Sequence, residues 1–521
     1  MSSRVGHSKS AILVFALVAL SCAGVKQLPE LGMGSGGQAG GSSGGTGGAA
    51  GSLPTSSDAS VGSTGRDAAP AGGCKNLQCQ QTSCTQGACI QHACPNMAKT
   101  TLSGTIHDPA GRTPLYNVIV YVPNATPSTI AEGVSCDKCA GTATGSPISP
   151  ALTDASGHFV LDDVPVGSNI PLVIQIGKWR REVTVPLITA CQDNPLTDVN
   201  LTRLPANQAE GHIPRIALTT GHADALECLL RKIGLADSEF TTDAGTGRVH
   251  LYYGGDLTGP SGSGAGANAF DAAHGGQAFS SAASLWGSVP KLMTYDILML
   301  SCEGSQYQSA KQAYFGNMKM YGDAGGRIFM DHLHFDWLKY GPAPWPQTAN
   351  YIGVGKDLPS PFTSYIDTTF PKGVAFAQWL VNVGATTAPA AGSPETIQIL
   401  QGQYSVESTT PPYSQRWIYT DHNPNDSNMN PAVEYMTLNT PAELAATMPQ
   451  NQCGRTVFTD LHVVSASSGG SQDTSRPGTP FPGGCVTTGD LSPQEKALEF
   501  MLFDLSSCVQ PDPVPPTIIV N

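Results

Sequence analysis

Apolar and polar residues alternate with a period of two along residues 99–205, and turn-forming residues separate the alternating runs. The runs read TLSGTIHD, NVIVYVP, GHFVLDDVP, PLVIQIGKWRREVTV and LTDVNLTRLP, with Gly, Pro, Asn and Asp between them. Successive side chains of a strand point to opposite faces of a sheet, so this pattern predicts short strands packed as a β-sandwich.

The pattern changes after residue 213, where apolar runs alternate with stretches of helical spacing. Predicted strands include IPRIALTTG, RVHLYYGG, YDILMLSCEG, GGRIFMDHLHF and CGRTVFTDLHVV, with helices such as HADALECLLRKIGL between them. The helix in LSPQEKALEFMLFDLSSCV has a clear start, with Ser492 as N-cap, Pro493 in the first turn and Glu495 completing a capping box. Alternating strands and helices predict an α/β domain with a mainly parallel sheet over residues 213–511, followed by a Pro-rich tail at 512–521.

The N-terminus carries a short basic region, Arg4 and Lys9, followed by an apolar run at residues 11–20 that is too short to span a bilayer. Residues 1–22 resemble a bacterial lipoprotein signal, which implies that a lipidated Cys22 becomes the mature N-terminus. Ala19 stands where Leu is usual in such signals, and the alternative is ordinary secretion with cleavage near Ala23. The resemblance implies export and a lipid anchor in the outer membrane or at the cell surface.

Glycine, serine, alanine and threonine dominate the segment that follows the signal, residues 23–73. Such a composition cannot bury a core, so we expect a disordered tether with a typical reach of roughly 35 Å. The chain as a whole is 40% hydrophobic and 13% charged, with a net charge of −13. This negative charge argues against a nucleic-acid partner.

Cysteine is abundant, with 14 residues in the chain, and an exported protein is expected to oxidise them to disulfides. Five recur at every fifth position in residues 74–98, which predicts a disulfide-stapled collar rather than a zinc finger, because paired C-x2-C knuckles are lacking. Without Cys22 the number is 13, so one free thiol is expected in a monomer. The disulfide candidates are Cys74, Cys79, Cys84, Cys89, Cys94, Cys136, Cys139, Cys191, Cys453, Cys485 and Cys508.

The first folded region, in SGTIHDPAGRTPLYNVIVYV and LTDASGHFVLDDVPVG, resembles the carboxypeptidase regulatory-like family. This resemblance implies a transthyretin-like, seven-stranded β-sandwich over residues 99–205, which is non-catalytic and in some members binds carbohydrate. An insert containing Cys136 and Cys139 departs from the family, and we expect a bridge within this loop or to Cys191, with half of a zinc site as the alternative. Trp179, Tyr116 and Tyr121 are candidates for a sugar platform, although aromatic residues of this kind more often belong to a core.

The second region resembles the class I glutamine amidotransferase-like fold, and in particular its trehalose-utilisation-like branch. The segments that carry the resemblance are TTGHADALECLLRKIG, YDILMLSCEG, GGRIFMDHLHF and GRTVFTDLHVV. It implies a flavodoxin-like parallel sheet and maps the family's catalytic histidine onto His462. The family's nucleophile elbow needs Cys followed by Gly, and residues 330–334 (MDHLH) offer neither, so glutamine amide transfer is not expected. The two modules together resemble a group of secreted myxobacterial proteins.

Ligands of open parallel sheets bind beyond the carboxyl ends of the strands, so polar residues there are candidates for chemistry. These residues are His222, Cys302, Glu303, Asp331, His332, His334, Asp336, Asp460 and His462.

We select Cys302, Glu303, Asp460 and His462 as catalytic candidates, with Cys302 as a nucleophile activated by His462. Bridging or burial of the thiol and helix capping by Glu303 are the structural alternatives. If the strand continues through residue 334, Met330, His332 and His334 share one face, and His332, His334 and Asp336 become candidate ligands for zinc or another divalent metal.

Two classes of function remain open at this point. The first is a surface lipoprotein that binds or displays partners such as polysaccharides or surface proteins, without catalysis. The alternative is a hydrolase, metal-dependent or not, that acts on glycan or amide substrates through the amidotransferase-like domain. No predicted strand leads into a G-x-S-x-G elbow, a P-loop is absent, and no cofactor other than such a metal is expected.

Overall fold

The structure, a computed structural model, describes residues 92–139, 143–255, 266–463 and 475–518. The predicted signal peptide with Cys22, the tether, and the collar cysteines Cys74, Cys79, Cys84 and Cys89 lie outside the described residues. The described residues belong to one compact unit, Ala68–Asn521. Within these ranges, no helix has the length and apolar character needed to cross a membrane.

Residues 101–212 form two β-sheets that share one apolar core. The strands are β1 Thr101–Thr105, β2 Ile119–Pro123, β3 Pro147–Leu152, β4 His158–Leu161, β5 Gly167–Ile176, β6 Trp179–Ile188, β7 Asp193–Leu196 and β8 Gly211–His212. One sheet has the order β4-β1-β7 and the other the order β3-β2-β5-β6-β8. The predicted count of seven strands is not confirmed, because β8, beyond the predicted boundary at residue 205, pairs with β6 and adds an eighth described strand.

The remainder of the chain is mixed α/β, as the alternating pattern predicts. Its strands are β9 Ile216–Thr220, β10 Phe240–Thr241, β11 Val249–Tyr253, β12 Ser280–Ser281, β13 Ile297–Leu300, β14 Arg327–Asp331, β15 Ala349–Asp357, β16 Phe362–Ile366, β17 Thr396–Ile399, β18 Gln403–Thr409, β19 Gln415–Thr420, β20 Ala432–Thr440 and β21 Gly454–Thr459. Its helices are α1 Leu226–Lys232, α2 Ala282–Trp286, α3 Val289–Leu292, α4 Gln308–Lys311, α5 Phe315–Asp323, α6 Asp336–Lys339, α7 Pro371–Asn382 and α8 Pro493–Ser506.

The large sheet has a parallel half and an antiparallel half. Strands β10-β11-β9-β13-β14-β21 run parallel, with β12 beside β11, and β20-β19-β16-β17 continue the sheet antiparallel. The central parallel strands are buried on both faces, which explains their unbroken apolar runs such as ILML in β13. The prediction of a mainly parallel sheet therefore holds for one half only, because residues 396–440 pair as antiparallel neighbours instead of βα units.

Helix α8 packs between the sandwich and the sheet and contributes to the core of both. Its N-terminus has the predicted capping box, in which Ser492 Oγ accepts from the Glu495 amide and the Glu495 carboxylate accepts from the Ser492 amide. Toward the sandwich, Phe503 contacts Trp179, with ring centroids 5.7 Å apart. Toward the sheet, Phe500 lies 6.0 Å from Trp417 of β19. The two predicted domains therefore share one continuous apolar core.

Four disulfides lie within the described ranges, and three of them join cysteines that are more than 250 residues apart. The pairs are Cys94–Cys191, Cys136–Cys453, Cys139–Cys508 and Cys228–Cys485, whereas Cys302 is free and buried. The prediction that Cys136 and Cys139 bridge each other or Cys191 is wrong. Their loop lies against the α/β part, where Cys453 precedes β21 and Cys508 follows α8. Cys228, which the sequence did not single out, takes Cys485 as its partner.

Candidate functional site

Three side chains meet where neighbouring parallel strands end at the carboxyl edge of the sheet. Cys302 follows β13, His332 follows β14 and His462 follows β21, and these strands are hydrogen-bonded in that order. The expectation that the strands before His332 and His462 are neighbours is confirmed by the register, which pairs Asp331 with Thr459. Parallel strands bring the residues after their carboxyl ends together at one edge, which is where open α/β sheets bind ligands.

The three side chains are close enough to share one ligand. Cys302 Sγ lies 3.4 Å from His332 Nδ1, and the imidazole centroids of His332 and His462 are 5.2 Å apart. One potential metal-ligand atom from each of the three residues lies within 4.8 Å of the others. Exposure of Cys302, His332 and His462 is 0%, 6% and 3%, so the cluster is enclosed.

His332 has a left-handed backbone conformation, with φ of 39°. Strand β14 ends at Asp331, and His332–Phe335 form a 3-10 turn. The prediction of a strand that continues through residue 334 is therefore wrong, and the expected alternation of Met330, His332 and His334 on one face does not occur. A residue other than glycine with positive φ is strained, and such strain is concentrated at functional sites.

His334 and Asp336 do not join His332 in a ligand set, which corrects the predicted metal site. His334 donates from Nε2 to the carbonyl of Ser301 at 2.9 Å, and its Nδ1 accepts from Trp337 Nε1 at 3.0 Å, so both ring nitrogens are engaged. Asp336 begins α6, where Oδ1 accepts from Gln306 at 3.0 Å. His334 therefore fixes the carbonyl next to Cys302.

Two carboxyl groups lie beneath the cluster, and neither was among the selected site residues. Asp331 Oδ2 accepts from the Cys302 amide at 3.2 Å and lies 4.0 Å from His462 Nε2. Asp224, which precedes α1, lies beside Asp331 and accepts from the Val463 amide at 2.8 Å. Asp331 was visible in the sequence as a strand-end residue, and Asp224 as an acid after the first strand. Only the fold shows that they meet.

The other two catalytic candidates, Asp460 and Glu303, have different partners from those expected. Asp460 Oδ2 accepts from the Ser405 amide at 2.8 Å, so the carboxylate nearest to His462 Nε2 is that of Asp331. Glu303 forms a buried ion pair with Lys311 at 2.7 Å and accepts from the Gly255 amide at 3.1 Å. Glu303 therefore anchors the backbone around the site instead of capping a helix.

Burial disfavours the charged forms of the cluster and of the neighbouring carboxyl groups. It lowers the pKa of His462 to about 4 and, together with the neighbouring His462, the pKa of His332 well below its usual value. It raises the pKa of the Cys302 thiol well above its usual value, with Asp331 adding to the effect. It also raises the pKa of Asp224 to about 7 and that of Asp460 to about 8.

Two features of the surrounding backbone hold the cluster in place. Gly221 packs against the carbonyl of Cys302 so closely that a Cβ atom at this position would lie 2.1 Å from the oxygen. Gln494 of α8 donates to the carbonyls of Gln401 and His462 at 2.8 and 2.5 Å. The loop after β21 is thus tied to a buried helix, which fixes the position of His462.

The aromatic residues proposed as a sugar platform do not form one. Trp179 and Tyr121 are fully buried, and Tyr116 stacks on Phe500 of α8 with ring centroids 6.1 Å apart. They belong to the core, so they are not available to stack on a sugar. Carbohydrate binding by the sandwich remains a prediction without these residues.

No model of a protein family matches the chain, and no curated protein is significantly similar to it. Among solved structures, two interface mutants of a type II cohesin–X-dockerin complex from Acetivibrio cellulolyticus show partial likeness. Their identities are 20% and 18%, and each match covers 27% of this chain and 75% of the other, with a TM-score of 0.14. A ThuA-like protein from Bacteroides uniformis has 10% identity over 48% of this chain and 82% of its own, with a TM-score of 0.22. Likeness at this level assigns neither a fold family nor an activity.

Proposed function

We propose that the carboxyl edge of the sheet binds one divalent transition-metal ion through Cys302, His332 and His462, and that the protein is a metal-dependent hydrolase. The observation that carries this proposal is the convergence of one thiol and two imidazoles within 4.8 Å. Sulfur and nitrogen ligands in this combination suit zinc. Three protein ligands also leave one tetrahedral position open for a water molecule, as in catalytic zinc sites.

Two nitrogen atoms of the cluster lack hydrogen-bond partners, and this supports the proposal of a bound cation. Within the described ranges, His332 Nε2 and His462 Nε2 are buried without a hydrogen-bond partner. Buried polar groups without partners are costly, and a bound ion is one way to satisfy them. A metal ion would occupy the space between the imidazoles and offset that cost.

The same geometry disfavours the alternative in which Cys302 is a nucleophile without a metal. The thiol is completely buried, and Sγ faces His332 Nδ1 rather than an open cleft. A nucleophile must present its reacting atom to the substrate. As a ligand, Cys302 would not itself contact the substrate, which would have to reach the open position of the metal.

Asp331 acts in this proposal as a positioning residue. It holds the Cys302 amide and lies next to His462, and Asp224 in turn holds the loop that follows His462. Carboxylates in this position orient metal ligands, and their loss typically lowers metal affinity by about 10- to 100-fold.

Metal analysis of the full-length protein tests the site. We expect about one equivalent of zinc after reconstitution, as for a single catalytic site. A His332→Ala, His462→Ala double variant should lose it, whereas His158→Ala, which removes an exposed histidine of β4, should retain it. Absence of bound metal after reconstitution with zinc, iron or manganese would refute the proposal, as would equal metal content in the double variant.

Hydrolysis is tested separately with chromogenic 4-nitrophenyl esters, 4-nitrophenyl glycosides and amino-acid 4-nitroanilides. We expect turnover of at least one of these classes, loss of turnover on chelation, and recovery on addition of zinc. A protein that holds its metal but hydrolyses none of them would not be the hydrolase proposed here.

We also propose that the protein acts outside the cytoplasm. The four described disulfides support this, because such bonds persist in oxidising compartments. Anchoring through Cys22 is part of this proposal, and it predicts that Cys22→Ser moves the protein from the membrane fraction to the soluble fraction. Wild-type protein that is already soluble would contradict the anchor.

A further inference from the structure

A second group of buried polar side chains lies where the end of β21 meets β20, β18 and β16. Glu434 belongs to β20, Asp460 follows β21, Ser405 belongs to β18 and Ser364 belongs to β16. We call these four residues the oxygen cluster. The Asp460 amide donates to the carbonyl of Glu434 at 2.8 Å, and the Ser405 amide donates to Asp460 Oδ2 at 2.8 Å. All four residues are completely buried.

Several side-chain oxygen atoms of the oxygen cluster have no hydrogen-bond partner within the described ranges. They are Glu434 Oε1 and Oε2, Asp460 Oδ1, Ser364 Oγ and Ser405 Oγ. The Ser364 hydroxyl nevertheless lies close enough to Glu434 to oppose the rise of its pKa, and the Ser405 hydroxyl does the same for Asp460. The two hydroxyl groups and the two carboxyl groups therefore lie next to each other.

No basic side chain of the described ranges compensates the two carboxyl groups. No Lys or Arg affects the pKa of either one. His462 follows Asp460 by two residues, but burial lowers its pKa to about 4, so it is uncharged at neutral pH. The neighbouring Asp331 is a further acid, and Asp460 helps to raise its pKa. Buried carboxylates without a cation are costly, so these groups need either a bound proton or a bound cation.

We propose that the oxygen cluster binds one hard divalent cation, Ca²⁺ or Mg²⁺. Its ligands are the carboxylates of Glu434 and Asp460 and the hydroxyl groups of Ser364 and Ser405. Oxygen ligands suit these two ions, whereas thiol and imidazole groups suit zinc. Two carboxylates also match the charge of one divalent ion. This site is separate from the cluster of Cys302 and the two histidines, and it does not rest on the proposed hydrolase activity.

The ligands come from parts of the chain that the cation would join. Strand β18 pairs with β15 in a separate two-stranded sheet, whereas β16, β20 and β21 belong to the large sheet. An ion held by all four residues would therefore fasten the β15–β18 sheet to the large one. A ligand that binds only the folded state stabilises it, so the cation should raise the unfolding temperature.

Calorimetric titration of the full-length protein, after treatment with a chelator, tests the proposal. CaCl₂ and MgCl₂ are titrated separately, and NaCl at equal ionic strength is the control. We expect saturable binding of about one equivalent of at least one of the two divalent ions. Tighter binding of Mg²⁺ indicates an octahedral site, and tighter binding of Ca²⁺ indicates a larger and more flexible one. The absence of binding by both ions would overturn the proposal and leave protons on the carboxyl groups.

Variants assign the ligands. Glu434→Gln removes one charge without a change in size and should abolish binding. Glu443→Gln is the matched control, because the half-exposed carboxylate of Glu443 pairs with Lys319 at 3.2 Å. Ser364→Ala removes one hydroxyl group and should weaken binding, and it decides the question if Glu434→Gln does not fold. Wild-type affinity in the folded variant would overturn the assignment.

The His332→Ala, His462→Ala double variant separates this site from the proposed zinc site. It should bind Ca²⁺ or Mg²⁺ with wild-type affinity. Loss of this binding in the double variant, together with unchanged binding in Glu434→Gln, would place the ion at the histidines and overturn the proposal. A protein that binds no zinc but one equivalent of Ca²⁺ or Mg²⁺ through Glu434 would refute the zinc hydrolase and retain the oxygen cluster as a cation site.

Discussion

The two edges of the parallel half of the sheet both bury ionisable side chains, and the arginine at one edge differs in its partners from the two histidines at the other. At the amino edge, Arg455 at the start of β21 lies 2.7 Å from each of Asp504 and Asp512, and Lys372 also reaches Asp504 at 2.7 Å. At the carboxyl edge, the imidazoles of His332 and His462 each have an Nε2 atom without a hydrogen-bond partner among the described contacts. Removing one partner of a buried ion pair destabilises a fold, whereas the two imidazoles can take up a ligand without breaking such a pair.

The largest loss of stability is expected when Arg455, which pairs with the buried carboxylates at the amino edge, is replaced. Arg455→Ala leaves Asp512 and part of Asp504 buried without their cation, and should cost about 3–5 kcal/mol of unfolding free energy. Urea denaturation measures this cost. Lys99→Ala, which removes an exposed ion pair with Asp162, should change stability by less than about 1 kcal/mol. Equal effects of the two variants would show that the amino-edge network is not structural.

The next largest effect is a pH dependence of the free energy of unfolding, which arises from the buried side chain of Glu227. Burial raises the pKa of Glu227, on α1, to about 8, above its ordinary value of 4.5. The folded state therefore binds the proton more tightly than the unfolded state. Stability from this group is complete below about pH 4.5 and is lost as pH rises through 8.

Glu227→Gln should accordingly flatten the pH profile of stability. Between pH 5 and pH 9, wild type should lose on the order of 3 kcal/mol more than the variant. Denaturation midpoints measured across this range check the difference. Parallel profiles for the two proteins would mean that Glu227 ionises freely in the folded state.

A smaller loss of stability is expected when the loop that contains Cys136 is released from the sheet. A Cys136→Ser, Cys453→Ser double variant removes one of the two links between the sandwich insert and the amino edge, and should cost about 2–3 kcal/mol. Metal content should be unchanged, because the carboxyl edge is untouched. Loss of metal in this variant would show that the two edges are coupled.

The smallest loss of stability is expected for Gly221→Ala, although this substitution should clearly weaken metal binding. The new Cβ must displace the Cys302 carbonyl, which we expect to cost about 1–3 kcal/mol and to weaken metal binding. Gly316→Ala is the control, because a Cβ there would meet open space. Zinc titration of both variants makes the comparison. Wild-type affinity in Gly221→Ala would mean that Cys302 is not a ligand.

The sequence was informative where local signals determine the structure. The capping residues Ser492 and Glu495 predict the start of α8. The apolar runs before Cys302 and His332 predict the buried strands β13 and β14. The neighbouring positions of His332 and His462 followed from the family resemblance and the parallel alternation. These features depend on contacts within a few residues or on a common topology.

The remaining features depend on contacts that no local pattern encodes. The left-handed turn at His332 redirects the chain, which separates His332 from His334. Asp331, at the end of β14, lies 4.0 Å from His462, whereas the carboxylate of Asp460 accepts from the Ser405 amide of β18. Likewise, Cys136 and Cys453 are 317 residues apart, so their pairing requires the complete fold.

Helix α8 has a consequence for how the chain acquires its structure. It supplies Phe503 to the sandwich and Phe500 to the sheet, so neither core is closed before residues 493–506 have been synthesised. Folding of the described unit therefore depends on contacts of very long sequence separation, which form slowly. Until then, apolar surfaces such as that of Trp179 stay exposed on the growing chain. The sandwich, although it comes first along the chain, is completed together with the sheet.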